Sequence, residues 1–178
     1  MKNKNAIRIT QTAVIAAMYA ALTYAQSFLF PGTTTAAVQF RASEALNVLA
    51  LFTPTAIPGL TIGCIISNLY SIGQGLPLDM IFGSVATLGA TLCIHLLKNV
   101  KIKKYPLPAM LMPAIWNGVI VGWEIEYFFI DGPFHFSSFL IQGGLVALGE
   151  LGVMLVLGTP LCFALNKRQI DKIINPGR

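Results

Sequence analysis

The placement of the charged residues is the feature that most constrains this fold. Only 11% of the 178 residues are charged, whereas a soluble domain carries roughly a quarter. Apart from Arg41, the basic residues lie in three clusters, at residues 2–8, 98–104 and 167–178, with long apolar runs between them. So little polar surface cannot coat a water-soluble domain. The pattern therefore predicts a polytopic integral membrane protein.

The apolar runs and the turn residues between them predict an all-α bundle of six transmembrane helices in one domain, residues 1–178. Pro31 and Gly32 end the first run, and glycines and prolines separate several of the others. The first run is too long for the core of a cleaved signal peptide, so we expect it to be a retained helix. The six helices are predicted at 8–29, 42–53, 57–72, 78–98, 106–126 and 138–166.

The second predicted helix is short, and this leaves two topologies open. At 1.5 Å per residue it reaches about 18 Å, against a hydrocarbon core of about 30 Å, so 42–72 could be one broken span. Basic loops stay in the cytoplasm, however, and the cluster at 98–104 shares a side with the N-terminus only after an even number of spans. This favours six spans with both termini cytoplasmic. The outer segments are then 31–41, 73–77 and 127–137.

Acidic residues gather toward the predicted outer face. Five acids and one base lie on or near it, namely Arg41, Glu44, Asp79, Glu124, Glu126 and Asp131. An acidic mouth would concentrate cationic solutes. The alternative is that insertion rules merely keep acids away from the inner side.

Polar residues inside the last two predicted helices are candidates for ligand binding, because such groups are costly in lipid. Glu150 lies near the middle of the sixth helix. Asn117 and Glu124 are seven residues apart in the fifth helix and share a face. Gln142 precedes Glu150 by eight residues on a similar face. Together they predict a slot between these two helices that opens outward.

Two tryptophans border this slot. Trp116 and Trp123 repeat the spacing of Asn117 and Glu124 on an adjacent stripe. Trp123 fits an interfacial aromatic belt. Trp116 lies too deep for that, so it either stacks on a flat ligand or fills the bundle.

Arg41, Glu44 and Asp79 are further candidate contacts. Arg41 and Glu44 are three residues apart, which permits either a mutual ion pair at the membrane edge or a contact with ligand. Asp79 is either a ligand contact or a cap for the fourth helix. Asn47 and Asn68 are more typical of hydrogen bonds between helices.

The first helix carries a ridge of small residues, which we call the alanine ridge. Ala13, Ala17, Ala21 and Ala25 recur every four residues, a spacing that permits close approach of another helix. The partner is either a helix of this chain or another subunit.

Motifs for chemistry are missing from the sequence. It contains no phosphate-binding Gly-rich loop with Lys, no nucleophile–His–Asp pattern and no His-Glu-x-x-His or Cys-x-x-Cys spacing. Its three cysteines show no spacing for a metal site. We therefore expect no enzymatic activity, no cofactor and no metal.

Residues 38–68, VQFRASEALNVLALFTPTAIPGLTIGCIISN, resemble the signature of the QueT family, both in the RxSEALxxL core and in the PxAIPGLxIGC run that follows. The resemblance implies the substrate-binding (S) component of an energy-coupling-factor (ECF) transporter in the plasma membrane. It implies import of a queuosine precursor, a 7-deazaguanine such as 7-aminomethyl-7-deazaguanine. It also implies partners: a transmembrane coupling protein, which the alanine ridge would contact, and two cytoplasmic ATPases.

The chemistry of the candidate residues agrees with this implication. A 7-deazaguanine presents an N–H and an amine side by side, which Glu150 or Glu124 could accept as a pair. Trp116 or Trp123 could stack on its plane. Two other possibilities remain open: an S component for another aromatic or cationic micronutrient, and a stand-alone secondary transporter.

Overall fold

The computed structural model describes residues 4–33, 40–73, 76–103 and 105–168, and within these ranges the chain is helical and has no strand. The predicted all-α class is therefore confirmed. Two π-helical turns, Ile125–Phe129 and Met154–Gly158, follow the fifth and sixth α-helices. The helices are α1 (Lys4–Leu29), a 3₁₀ helix (Ala42–Leu51), α2 (Ala56–Gly73), α3 (Asp79–Leu97), α4 (Leu107–Met110), α5 (Met112–Glu124), α6 (Phe136–Val153) and α7 (Thr159–Lys167).

The long helices have the dimensions and composition of membrane helices. Within the described residues, four segments are long and apolar enough to cross a bilayer, at Lys4–Leu29, Ala56–Gly73, Asp79–Leu97 and Phe136–Lys167. Large apolar side chains also cover the outside of the bundle, among them Phe28 at 85% and Leu96 at 77% exposure. Such a surface is stable in lipid and not in water, so the chain is an integral membrane protein.

The second helix differs from the prediction in type. Instead of an α-helix at 42–53, the structure has a 3₁₀ helix at Ala42–Leu51, and most of its side chains are buried. It packs against α1, α2, α3, α6 and α7, so it lies at the centre of the bundle. A 3₁₀ helix has three residues per turn. Residues three apart, such as Glu44 and Asn47, therefore share one face.

Two predicted helices are interrupted where prolines remove backbone donors. The helix predicted at 106–126 is divided into α4 and α5 just before Pro113, and the helix predicted at 138–166 passes through a π-helical turn just before Pro160. Proline has no N–H to donate to the carbonyl four residues earlier, so the α-helical ladder cannot continue unchanged there.

Pairs of glycines bring neighbouring helices into backbone contact. In α2, Gly59 and Gly63 face α1, and a Cβ atom on Gly63 would lie 2.9 Å from the carbonyl oxygen of Ala16. In α5, Gly118 and Gly122 face α6 in the same way. A Cβ on Gly143 would lie 2.5 Å from the Gly118 carbonyl oxygen. These small-residue contacts set the spacing of the helix pairs α1–α2 and α5–α6.

Replacing Gly143 by alanine should destabilise the bundle, whereas replacing its neighbour Gly144 should not. No atom lies within 4 Å of a Cβ built on Gly144, and alanine favours a helix over glycine by about 1 kcal/mol. Overpacking at Gly143 should cost about 1–3 kcal/mol. Thermal unfolding in detergent should show a lower midpoint for Gly143→Ala and an equal or higher one for Gly144→Ala. Equal midpoints for the two variants would contradict the contact.

Candidate binding site

Buried polar side chains from most of the long helices converge in one region, which we call the polar centre. Each member is at most 4% exposed, and hydrogen bonds or electrostatic interactions link each to another. Its members are Tyr19, Arg41, Glu44, Asn47, Asn68, Asp79, Glu124 and Glu150. Burial of this many polar groups in an apolar bundle is costly, so the arrangement calls for a functional explanation.

An ion pair between Arg41 and Asp79 forms one side of the polar centre. The Arg41 Nη2 atom lies 2.6 Å from Asp79 Oδ2, and Arg41 Nη1 donates to Asn68 Oδ1 at 3.0 Å. Ser71 also donates to Asp79 Oδ2, at 3.0 Å. A Cβ on Gly83 would lie 3.0 Å from Asn68 Nδ2, so a glycine on α3 makes room for this network. Asp79 thus holds Arg41, rather than only capping its helix.

Glu44 occupies the other side of the polar centre and receives two neutral donors. The Tyr19 hydroxyl donates to Glu44 Oε1, and Asn47 Nδ2 donates to Glu44 Oε2 at 2.5 Å. An Arg41–Glu44 ion pair was one interpretation of their spacing. The structure instead pairs Arg41 with Asp79, which lies 38 residues further along the chain.

Three members of the polar centre have buried oxygens without a donor. Within the described part of the chain, no hydrogen-bond partner reaches Asn47 Oδ1, Glu150 Oε2 or either carboxylate oxygen of Glu124. Glu150 interacts electrostatically with Glu44 and Arg41. Glu124 interacts electrostatically with Asp79 and Arg41. Buried acceptors of this kind are costly unless a donor reaches them.

The formal charge of the polar centre is negative when its acids are ionised. The members of the polar centre include four carboxylates, those of Glu44, Asp79, Glu124 and Glu150, and one guanidinium, that of Arg41. The arrangement therefore suits a ligand that carries several N–H donors or a positive charge. It does not suit an anion.

Asn117 and Trp116 do not line an open slot between α5 and α6. Asn117 is buried, and its Nδ2 donates to the backbone oxygen of Pro113 at 3.1 Å in its own helix. Trp116 packs on α3, where a Cβ on Gly89 would overlap the indole ring. The glycine contact closes the α5–α6 interface, so the acids expected in a slot lie instead in the polar centre.

Trp123 and Gln142 lie near the end of the bundle that carries residues 130–135. Trp123 is 37% exposed, and its ring stacks on Tyr127 with centroids 5.0 Å apart. Gln142 is half-buried and precedes Gly143 at the helix contact. The position of Trp123 is that of an interfacial aromatic residue.

Tyr19 was not predicted as a site residue, and two amides, Asn47 and Asn68, have a larger part in the polar centre than predicted. Tyr19 is fully buried and lies three residues after buried Ala16 and four before buried Thr23, the spacing of an inward helix face. That spacing was the signal that could have identified it. As expected, Asn68 joins helices, because it accepts from Arg41 and donates to the backbone oxygen of Asp79. Asn47 instead donates to Glu44 of its own 3₁₀ helix.

A separate groove lies between α1 and α6. Its volume is about 680 Å³, and apolar side chains such as Leu22, Phe40 and Val156 line most of it. None of its lining residues belongs to the polar centre. It offers few donors or acceptors, so the polar centre is the better candidate for recognising a polar solute.

Removing Arg41 should destabilise the protein more than removing the whole ion pair. Arg41→Met leaves the Asp79 carboxylate buried without its cation, which typically costs about 3–5 kcal/mol. Adding Asp79→Asn should restore part of that loss, because the second change removes the stranded charge. Thermal unfolding of the two single variants and the double variant would measure this coupling. Additive losses would show that the pair is not coupled.

Comparison with known proteins agrees with the resemblance at residues 38–68. A family model described as QueT transporter matches residues 9–167. A protein named Queuosine precursor transporter QueT, from Lactococcus lactis subsp. cremoris (strain MG1363), is 31% identical over 182 residues, covering 94% of this chain and 97% of that protein. No solved structure matches the chain. Because the family model spans nearly all of the sequence, the chain belongs to the QueT transporter family.

Proposed function

We propose that this chain is the substrate-binding S subunit of an ECF-type ATP-dependent importer, and that it captures a queuosine precursor of the 7-deazaguanine class at the polar centre. The relative from Lactococcus lactis is named for transport of such a precursor. The observation that carries the proposal is the set of buried carboxylate oxygens on Glu124 and Glu150 that no donor of the described chain reaches.

The chemistry of the ligand class fits these acceptors. A 7-deazaguanine presents a ring N–H beside an exocyclic amine, and a carboxylate accepts two adjacent donors as a charge-assisted pair. An aminomethyl substituent adds an ammonium group with three further donors. The polar centre has one cation and four acids, so its charge balance favours such a ligand over a neutral or anionic one.

The proposed topology has six spans with both termini in the cytoplasm of a plasma-membrane protein. The three basic clusters support it through the positive-inside rule. In this topology α3 begins at the outer side with Asp79, and α5 ends there with Glu124. The polar centre then lies toward the outer face, where it can receive a solute from outside the cell.

Exposure of the alanine ridge supports docking of another subunit. Ala13, Ala17, Ala21 and Ala25 are all exposed on α1, whereas Ala16 faces α2 and is buried. The α1–α2 contact therefore leaves the ridge free for another helix to approach closely. In the proposed complex that helix belongs to the transmembrane coupling protein, which two cytoplasmic ATPases would drive.

A stand-alone secondary transporter is the second candidate, and the buried acids favour it. Carboxylates inside transmembrane helices are typical of proton-coupled transporters, and Glu124 and Glu150 fit that description. The two functions differ in what drives uptake. Uptake by cells that lack the ATPases but keep an ion gradient would support the secondary transporter and contradict the S-subunit proposal.

Purified protein should bind 7-aminomethyl-7-deazaguanine, and Glu150→Gln should weaken that binding. Loss of one charge-assisted contact should cost about 2–3 kcal/mol, or roughly thirty- to a hundred-fold in affinity. Thermal-shift and calorimetric titrations would measure both effects, with riboflavin, thiamine, biotin and purines as competitors. If 7-deazaguanines neither stabilise nor bind the protein, the proposed substrate class is wrong.

Ala17→Leu should spare ligand binding but reduce assembly with the coupling protein. A larger side chain on the exposed ridge would block close approach of the partner helix. Ala164→Leu, at an exposed alanine of α7, is the matched control. Co-purification of the complex and uptake in cells would measure the difference. Equal assembly of the two variants would remove the ridge from the interface.

A further inference from the structure

We propose that the polar centre recognises its ligand at two separate points, with Glu150 and Asn47 holding an ammonium group and Glu124 holding the paired N–H edge of the heterocycle. This inference rests on the proposed function and assigns the two ends of the ligand to particular residues. Both acids are 1% exposed and Asn47 is fully buried. Each has an oxygen that no donor of the described residues reaches.

The acids of the polar centre fall into two groups by the helices that carry them. Glu124 is on α5, which packs on the Asp79 helix α3, whereas Glu150 is on α6, which packs on the 3₁₀ helix that carries Glu44 and Asn47. Asp79 and Arg41 act electrostatically on Glu124, whereas Glu44 and Arg41 act on Glu150. Arg41 acts electrostatically on both acids, while its guanidinium is bonded to Asp79 and Asn68.

The two points lie at different depths in the bundle. Gly122 of α5 contacts Gly143 of α6, and this contact fixes the register of the two helices. Glu124 lies beyond it toward residues 130–135. Glu150 lies seven residues beyond Gly143 in the opposite direction, about 10 Å along the helix. A ligand that uses both points must therefore carry donors at two ends, not at one.

The Glu150 point has the acceptors that an ammonium requires. An ammonium offers three donors and a full positive charge. No donor of the described residues reaches Glu150 Oε2 or Asn47 Oδ1. Asn47 belongs to this point through Glu44: it donates to Glu44, which acts electrostatically on Glu150, and the 3₁₀ helix that carries both packs on α6. The donors that Glu44 receives from Tyr19 and Asn47 are neutral. Two acids close to each other repel when both are ionised. A cation between them relieves that repulsion.

The Glu124 point instead has the geometry that a flat N–H edge requires. Both of its carboxylate oxygens lack donors in the described chain, which leaves a fork of two acceptors for two adjacent N–H groups. Its neighbour Asp79 already accepts from Arg41 and Ser71. The charge on that side is therefore partly neutralised, and it attracts a second cation less strongly than the Glu150 side does.

Two ligands separate the two points. The compounds 7-aminomethyl-7-deazaguanine and 7-cyano-7-deazaguanine share the heterocycle edge, but only the first carries an ammonium. We expect Glu150→Gln to weaken binding of the aminomethyl compound by about thirty-fold or more and to change binding of the cyano compound by less than about three-fold. Glu124→Gln should weaken both compounds to a similar degree. Asp131→Asn, an exposed acid at the end near Glu124, should change neither.

Calorimetric titration of the intact protein in detergent would measure these affinities, and thermal unfolding without ligand would test for structural damage. Because Glu150→Gln removes one of two neighbouring acids, its midpoint without ligand should be equal to or above that of the unaltered protein. A large drop in that midpoint would overturn the assignment, since it would make Glu150 a structural residue.

Equal weakening of both compounds by Glu150→Gln would overturn the two-point assignment and leave the proposed function standing. Failure of the unaltered protein to bind either compound would overturn the proposed function itself.

Discussion

The buried ion pair between Arg41 and Asp79 is the interaction on which the rest of the polar centre depends. A guanidinium and a carboxylate can remain inside an apolar bundle only when the charge is paired and the remaining donors are used. Asn68 and Ser71 of α2 supply the additional hydrogen bonds. The pair therefore holds the start of the 3₁₀ helix, α2 and α3 together.

Because the second helix is a 3₁₀ helix and not an α-helix, residues that are three apart in the sequence lie on one side of the polar centre. Arg41, Glu44 and Asn47 are three residues apart, and three residues make one turn of a 3₁₀ helix. In an α-helix, with 3.6 residues per turn, each would be rotated by about 60° from the one before. The tighter repeat thus places Glu44 and Asn47 on the same face of the helix. Arg41 directly precedes this helix and interacts electrostatically with Asp79 and Glu44.

The helices of this chain could be predicted from its sequence better than the contacts between them. Scarcity of charge indicated the membrane fold, and the cost of a polar group in lipid identified Glu124 and Glu150 as candidates. Glu44 and Asp79 were candidates because of their positions near the predicted outer face, with an ion pair and a helix cap as the alternatives. Periodicity shows which face of a helix is polar but not which helix it meets. The pairing of Arg41 with Asp79, and the closed contact at Gly118 and Gly143, could therefore not be predicted. The 3₁₀ helix was missed for a related reason, because a buried run of ten residues has no lipid-facing stripe to reveal its period.

The glycine contacts help to explain how Glu124 and Glu150 can stay buried although no donor of the described residues reaches the carboxylate oxygens named above. A buried carboxylate that receives no hydrogen bond lowers the stability of the folded state. In a flexible bundle the helices would shift until another group donated a hydrogen bond to it. Gly59 and Gly63 allow close packing of α2 on α1, and the Gly122–Gly143 contact does the same for α5 and α6. Because α5 carries Glu124 and α6 carries Glu150, this packing restricts movement of the two acids. The close packing keeps Glu124 and Glu150 apart and available. A rigid, pre-organised set of acceptors binds its ligand more tightly than one that must first rearrange.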